Sequence, residues 1–406
     1  MSCTENPVIC SAIAFEKGQS RRLSGIVLPL FAIAGGVSVA NIYCAQPLLD
    51  VLAREFGFSK SSVGSVITVT QIGYAAGLLF VVPLGDLLNR RRLILGQLFL
   101  SVIALALVSF ARTKELLLIG LFLVGLLAVV VQVLVAFAAS LAPVEKRGKA
   151  VGTVTSGVVL GILLARIVAG FLSDMGGWRV VYLASAILTL LVTGALIAIL
   201  PNERTEMRGS YAQLLRSTFA LYRTTPVLRI RAMIALLLFA AFSTLWSSLV
   251  LPLSEPPHPL SRTRIGLFGL AGIAGAVAAG RAGHLADRGR GQWTTGTALA
   301  VLLIAWICIA CLHRSFLTLI VGIILLDFAV QAVHVTNQNM IFAARPEAKS
   351  RLVAAYMVFY SIGSGVGALA STRAYAAFHW SGVCILGASI SLAALAIWAS
   401  TAGESR

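Results

Sequence analysis

The sequence predicts an all-α integral membrane protein of twelve transmembrane helices in two pseudo-symmetric six-helix bundles. Three observations carry this: apolar runs of spanning length, a charged share of only 12%, and landmarks that recur at half the chain length. A spanning helix needs about 20 apolar residues, so twelve need about 240. The chain has 406 residues, 58% of them hydrophobic, close to that requirement. Charged residues run at about half the share of a soluble domain. The composition excludes a disordered chain and an ordinary globular one.

Twelve apolar runs are bracketed at 24–49, 61–84, 93–111, 116–141, 150–173, 179–200, 230–253, 265–284, 294–312, 316–343, 351–377 and 381–400. They are too long, and alternate too little, for barrel strands. A backbone in lipid must satisfy its polar groups within the segment, which selects helix. Pro47 and Pro252 fall near the outer ends of the first and seventh runs, where a kink is tolerated. No cleavable signal is expected, because the first 23 residues lack a basic start leading directly into an apolar core and cleavage site. The expected organisation is a cytoplasmic tail at 1–23, a six-helix bundle at 24–200, a basic linker at 201–229, a second bundle at 230–400 and a tail at 401–406. In the linker, Arg204, Arg208, Arg216, Arg223 and Arg229 interleave with Leu214, Leu215, Phe219, Leu221 and Tyr222. That pattern predicts an amphipathic helix on anionic inner-face lipid, which also tethers the halves.

The net charge of +17 has a positional explanation. With the N-terminus inside, the inner segments and their flanks hold 22 Lys and Arg, the outer ones 9, and Arg166 lies within a span. Such a bias places both termini in the cytoplasm. No soluble domain remains to read nucleic acid. The glycines at 266, 269, 272, 275 and 280 predict close helix packing. No strand precedes them, so a dinucleotide loop is rejected, and no phosphate-cradling loop is present for ATP hydrolysis. Cys3 and Cys10 lie in the tail, and Cys44, Cys308, Cys311 and Cys384 in apolar runs, without metal-ligand spacing. They read as small apolar residues. No catalytic residue, metal or cofactor is expected, and the protein is expected to be a monomer.

The chain repeats itself. Leu84-Gly85-Asp86 and Asn89-Arg90-Arg91-Arg92 follow the second run; Gly283-His284-Leu285-Ala286-Asp287-Arg288-Gly289-Arg290 follows the eighth. The aspartates are 201 residues apart, Pro143 and Pro346 are 203 apart, and Trp178 and Trp380 are 202 apart. One shared offset implies two six-helix halves of the same orientation. These segments resemble the loop motif G-x-L-a-D-R-x-G-R-R of the major facilitator superfamily, found after the second and eighth helices. The second copy matches with one residue missing. The first matches at Leu84, Asp86, Arg90 and Arg91 and departs at Val82, Leu87 and Asn89. Asn is a mild replacement for Gly there, since it tolerates positive φ. Gly176-Gly177-Trp178-Arg179 resembles the family's start of the sixth helix.

The resemblance spans residues 24 to 400 and implies a secondary transporter, most similar to the twelve-helix drug and sugar exporters. It implies a latch between the halves, closed while the outside is open, made by Asp86, Arg90, Arg91, Gly283, Asp287, Arg288 and Arg290. Two departures stand out: the fourth helix reads Gly120-Leu121-Phe122-Leu123-Val124-Gly125 where drug–proton antiporters carry Arg, and residues 150–173 lack a proline. Proton coupling then falls to other residues, or is absent. Proton symport and uniport are the alternative transport readings; a non-transporting sensor or enzyme is the alternative of another class.

Ionisable residues at bilayer depth are costly and are functional candidates. Arg166, Asp327 and His334 lie well within spans, whereas Asp50 is near an outer end. Asp327, Gln331, His334 and Gln338 fall within about 60° of one helix face at about 100° per residue. That stripe should face protein or water. Asp327 lies 11 residues from the outer end of its run, about 16 Å deep. A buried carboxylate with a nearby histidine makes a candidate proton relay, and a helix–helix hydrogen-bond seam is the other reading. Arg166 needs a carboxylate, an anionic solute group or water. A pair with Asp327 joining the halves, an anion-attracting role and outward snorkelling all remain open. Asn41, Gln46, Gln71, Gln132, Trp246 and Tyr360 complete the cavity candidates. The family's arrangement of the first, fourth, seventh and tenth helices around the cavity favours Asn41, Gln132, Asp327 and His334. Asp86→Asn is expected to abolish transport in proteoliposomes with normal membrane insertion; wild-type rates in that variant would remove the latch role.

Overall fold

A computed structural model describes residues 26–143, 146–200, 210–256, 259–312, 314–345 and 349–401. Expectations for the N-terminal tail, for Arg204 and Arg208, for Pro346 and for the C-terminal tail lie outside these residues, as does the side chain of Asp287. All described elements are helical.

The spans are α1 (Ile26–Phe56), α2 (Ser65–Asp86), α3 (Arg90–Ser109), α4 (Lys114–Leu141), α5 (Arg147–Gly176), α6 (Trp178–Ile199), α7 (Pro226–Leu253) and α8 (Arg262–Leu285). They continue as α9 (Gly291–Ala310) and α10 (Phe316–Ala344). A last helical stretch, Lys349–Thr401, has 53 residues, about 80 Å if straight and too long for one crossing. It reverses at Phe378 and His379, where His379 has φ 52°. Its arms, 349–377 and 380–401, are α11 and α12, which completes twelve crossings. Polar caps open several spans: Asn89, Thr113, Ser261 and Ser315 each accept a backbone N–H of the following turn. The first span outruns its expected end. A 3-10 turn over Gln46–Leu48 absorbs Pro47, and Leu49–Phe56 continues as helix to Gly57, whose φ of 65° ends it.

One expectation is corrected here. Asn89 has φ −59°, not a positive value. Its side chain instead accepts from Arg92 N at 3.1 Å, so the asparagine serves as the N-cap of α3. The positive φ belongs to the second copy, at Gly289 (77°). The two loops thus turn by different means.

The internal repeat is visible in the packing. Gly161 on α5 lies so close to α1 that an added Cβ would meet Gly36 O at 2.2 Å. Gly363 on α11 meets α7 in the same way, at 2.0 Å from Leu236 O. These glycines are 202 residues apart, the tryptophan offset. Likewise α2 crosses α4 at Gly73 and Gly125, and α8 crosses α10 at Gly275. Small residues let helices approach where lipid provides no hydrophobic drive. Outward positions carry exposed apolar side chains such as Phe99, Leu191 and Ile307, as a lipid-facing perimeter requires.

The two ends of the molecule differ. The basic face carries Arg90–Arg92, Arg288 and Arg290; the far face carries Asp50, Glu255 and Arg262. Hydrogen bonds between the halves among the described spans run from the far face to mid-depth. On the basic face the surface helix Tyr211–Thr224 touches both halves, donating from Tyr211 to Phe80 O on α2 and from Tyr222 to Ala355 O on α11. Its buried face, with Leu221, packs on the second half, whereas Phe219, one of the apolar residues of the expected pattern, is exposed. Gly161→Leu should lower stability in detergent by about 1–3 kcal/mol through overpacking against α1, read by unfolding midpoint and denaturant titration.

Candidate substrate and coupling site

Helix irregularities converge at mid-depth. The 3-10 turn of α1 at Gln46–Leu48, a break in α4 at Val129 and a 3-10 segment of α8 at Phe268–Ala271 interrupt regular helix in both halves. Broken spans of this kind free backbone groups and turn side chains toward one centre.

Arg166 and Asp327 are both brought there, 2% and 4% exposed. They form no ion pair. Instead Trp246 of α7 stands between them: its indole N–H donates to Asp327 Oδ1 at 3.2 Å, and its ring lies 3.7 Å from Arg166 Cζ. In place of a direct pair, one of the three readings of Arg166, there is a cation–π contact on one side of the indole and a hydrogen bond on the other. Tyr43 and Phe242 complete the aromatic surroundings of the guanidinium, at 5.3 and 5.5 Å. Arg166 Nε donates to Gln46 Oε1 at 2.7 Å. On the other side of Asp327, α8 presents Gly272, where a Cβ would lie 3.8 Å from Oδ2.

The polar stripe of α10 faces protein. Gln331 packs on Gly275 of α8. His334 Nδ1 lies 3.0 Å from Tyr356 Oη, and its Nε2 lies 3.3 Å from Gln338 Nε2. Phe239 packs edge-on against His334 at 5.1 Å. Asp327 and His334 share no hydrogen bond; their partners lie on different helices. Tyr360 of α11 bonds to Tyr43 of α1 across the halves. Ser361 Oγ donates to Gln71 Oε1 at 2.9 Å, a second link across the halves. Gln132 reaches Tyr74 Oη at 3.5 Å, and Asn41 is buried in α1.

The loop motifs sit on the basic face. Arg90 donates to Gly85 O and Ser140 Oγ, and Arg91 to Ile197 O, all within the first half. Asp86 is exposed, with no hydrogen bond or ion pair among the described residues. Gly283 packs near Val335 and Asn339, and Arg288 and Arg290 are exposed.

Three features escaped the sequence reading. Arg231 on α7 is 2% exposed and donates to Thr295 Oγ1 and Asn337 Oδ1 at 3.1 and 3.3 Å. It lies at the inner end of the seventh apolar run, in its second position. Glu55 accepts from Trp178 Nε1 at 2.5 Å and pairs with Arg179, tying the sixth-helix motif to α1. A far-face cluster joins the halves. Arg262 pairs with Asp50 at 3.1 Å and with Asp174 at 3.5 Å. Asp174, at the end of α5, also accepts from Arg262 N and Thr263 N, capping α8 from the other half. Beside it, Lys60 pairs with Glu255 at 2.5 Å, and Tyr375 donates to the same carboxylate.

Comparison with known proteins agrees with this architecture. A sequence profile of the Major Facilitator Superfamily matches residues 31–308 and 260–405. The chain is 46% identical over 379 residues to the uncharacterized transporter YgaY of Escherichia coli O157:H7, covering 93% of this chain and 96% of that one. It is 36% identical over 391 residues to the probable transporter SCO4007 of Streptomyces coelicolor, covering 95% and 89%. Among solved structures, a bacterial homologue of the human lysosomal transporter Spinster, inward-facing and unoccupied, superposes with a TM-score of 0.74 at 15% identity, over 93% of this chain and 95% of that one.

The far-face cluster predicts a specific phenotype. A Val250→Cys variant, freed of its native cysteines, should react slowly with a membrane-impermeant maleimide, because Val250 is 1% exposed. Adding Arg262→Ala should accelerate labelling from the far face several-fold; unchanged labelling would show that the cluster does not hold the halves together.

Proposed function

The chain belongs to the major facilitator superfamily, and from that premise we propose a proton-coupled secondary transporter of a small organic solute. It works by alternating access of the bundles at 24–200 and 230–400, joined by the linker at 201–229. The observation that carries the coupling is Asp327: a carboxylate at mid-depth, 4% exposed, held by one indole N–H whose ring carries a guanidinium from the other half on its face. Gaining or losing a proton there changes the charge balance across the seam between the bundles. His334, with Tyr356 and Gln338, lies further toward the basic face and is the second proton-handling group in this reading.

The basic face is the cytoplasmic one in this proposal, following the charge bias, and the membrane is the bacterial inner membrane. The conformation is then closed toward the outside by Arg262, Asp50 and Asp174. Asp86, Arg90, Arg91, Gly283, Asp287, Arg288 and Arg290 act in the opposite state, as the inner latch. Export is the proposed direction, on the resemblance to drug and sugar exporters. Proton symport is the second reading, favoured by the juxtaposition of Arg166 and Asp327: neutralising Asp327 leaves Arg166 free to attract an anion. The protein acts as a monomer, since each six-helix half finds its complement within the chain.

Reconstituted vesicles separate these readings. Solute efflux driven by an inward proton gradient supports export, and gradient-driven accumulation supports symport. Asp327→Asn should reduce gradient-driven flux to the level of protein-free liposomes while leaving solute exchange without a gradient intact. Wild-type gradient dependence in that variant would remove Asp327 from the coupling role.

A further inference from the structure

Arg166 carries hydrogen-bonding capacity that the protein leaves unused. A guanidinium offers five N–H donors. Among the described residues Arg166 makes one hydrogen bond, from Nε to Gln46 Oε1. Its Nη2 is buried without a partner, and the whole residue is 2% exposed. Burying a cation with unanswered donors is costly, and an ionisable group at membrane depth is a functional-site candidate by default.

The guanidinium borders a void on the far-face side of the seam. Gln46 and Pro47 of the first half line it with Arg166; Trp246, Val250 and Gly266 line it from the second half. Its volume is about 10 Å³, room for about one water. Because each half contributes one wall, parting the halves on the far face would widen this void directly. Apart from Arg166 and Gln46, its walls are the indole face and apolar or backbone surface.

We propose that this seam is an anion-binding subsite, in which Arg166 takes the carboxylate of a monoanionic organic solute admitted from the far face. A single guanidinium matches a single negative charge, and its planar fork fits a carboxylate through two parallel N–H bonds. The Trp246 ring, Val250 and Pro47 receive the apolar body of the solute. Trp246 also keeps the Asp327 carboxylate on its other edge, away from the incoming anion. The far-face cluster around Arg262 holds the seam shut, so the subsite is compressed in this conformation and opens when that cluster releases. The inference rests on the transporter reading and adds to it the charge and class of the solute.

The test uses the full-length protein in detergent, with benzoate, benzamide and benzylamine as probes of one shape and three charges. Benzoate should raise the thermal unfolding midpoint in a saturable way, and the neutral and cationic probes should not. Arg262→Ala, which loosens the seam without touching the subsite, should lower the half-saturating benzoate concentration roughly tenfold, because a larger fraction of the protein is binding-competent. Arg166→Gln should abolish the benzoate response. Arg166→Lys, which keeps the charge and loses the fork, should weaken it and serves if the glutamine variant does not fold. An equal response to benzamide, a benzoate response retained in Arg166→Gln, or no benzoate response in both wild type and Arg262→Ala would overturn the proposal. Benzoate binding without flux of any solute in vesicles would sink the transporter reading and spare the subsite. Flux of neutral solutes without benzoate binding would do the reverse.

Discussion

At membrane depth no bulk water is present to satisfy a polar atom, so each buried polar group must be answered from within the chain or by a ligand. Most are answered locally. The hydroxyls of Ser38, Thr70, Thr193 and Ser248 donate back to carbonyls one turn earlier on their own helices. Arg231 finds a threonine and an asparagine on neighbouring spans. Arg166 is answered incompletely, by one glutamine and three aromatic faces. The central site is organised around that residual need, with a tryptophan that serves a cation on its face and a carboxylate at its edge.

The second consequence concerns the two ends of the seam. Ion pairs between the halves concentrate on the far face, where partly exposed Asp50, Asp174 and Arg262 meet and one helix caps another. On the basic face, Arg90 and Arg91 of the first loop motif bond within their own half, and the surface helix reaches both halves through two tyrosines. A two-state machine needs interactions that each state makes and the other lacks. In the proposed cycle the far-face cluster is such a set for the state described here. Partly exposed pairs contribute little individually, which suits contacts that have to break in every cycle.

Close helix packing makes each half a compact bundle. Gly161 and Gly363 seat α5 on α1 and α11 on α7 at backbone contact, one equivalent crossing in each half. The crossings between halves are also tight, at Gly170 and Gly266 between α5 and α8 and at Gly64, just ahead of α2, against α11. In the proposed cycle, rigid bundles meeting along glycine-lined surfaces would rock without repacking their cores, and that rocking would change the depth at which Arg166, Trp246 and Asp327 meet solvent.

The sequence by itself determined the spans, their number, the repeat and the family, because each rests on local composition or on spacing along the chain. Lipid demands apolar runs, and a duplicated half repeats its landmarks at one offset. It also singled out Arg166, Asp327 and the stripe on α10, because a charge inside an apolar run is visible without a fold. Tertiary structure alone decided what those charges meet. Arg166 and Asp327 are 161 residues apart in the chain, and a third residue, Trp246, intervenes where a direct pair was one expectation. Asn89 became a cap and not a left-handed turn, since a local rule for φ does not see which N–H groups need an acceptor. The Asp174 cap on α8 and the buried Arg231 were illegible for the same reason: a hydrogen-bond partner is a matter of spatial neighbours, and packing chooses those.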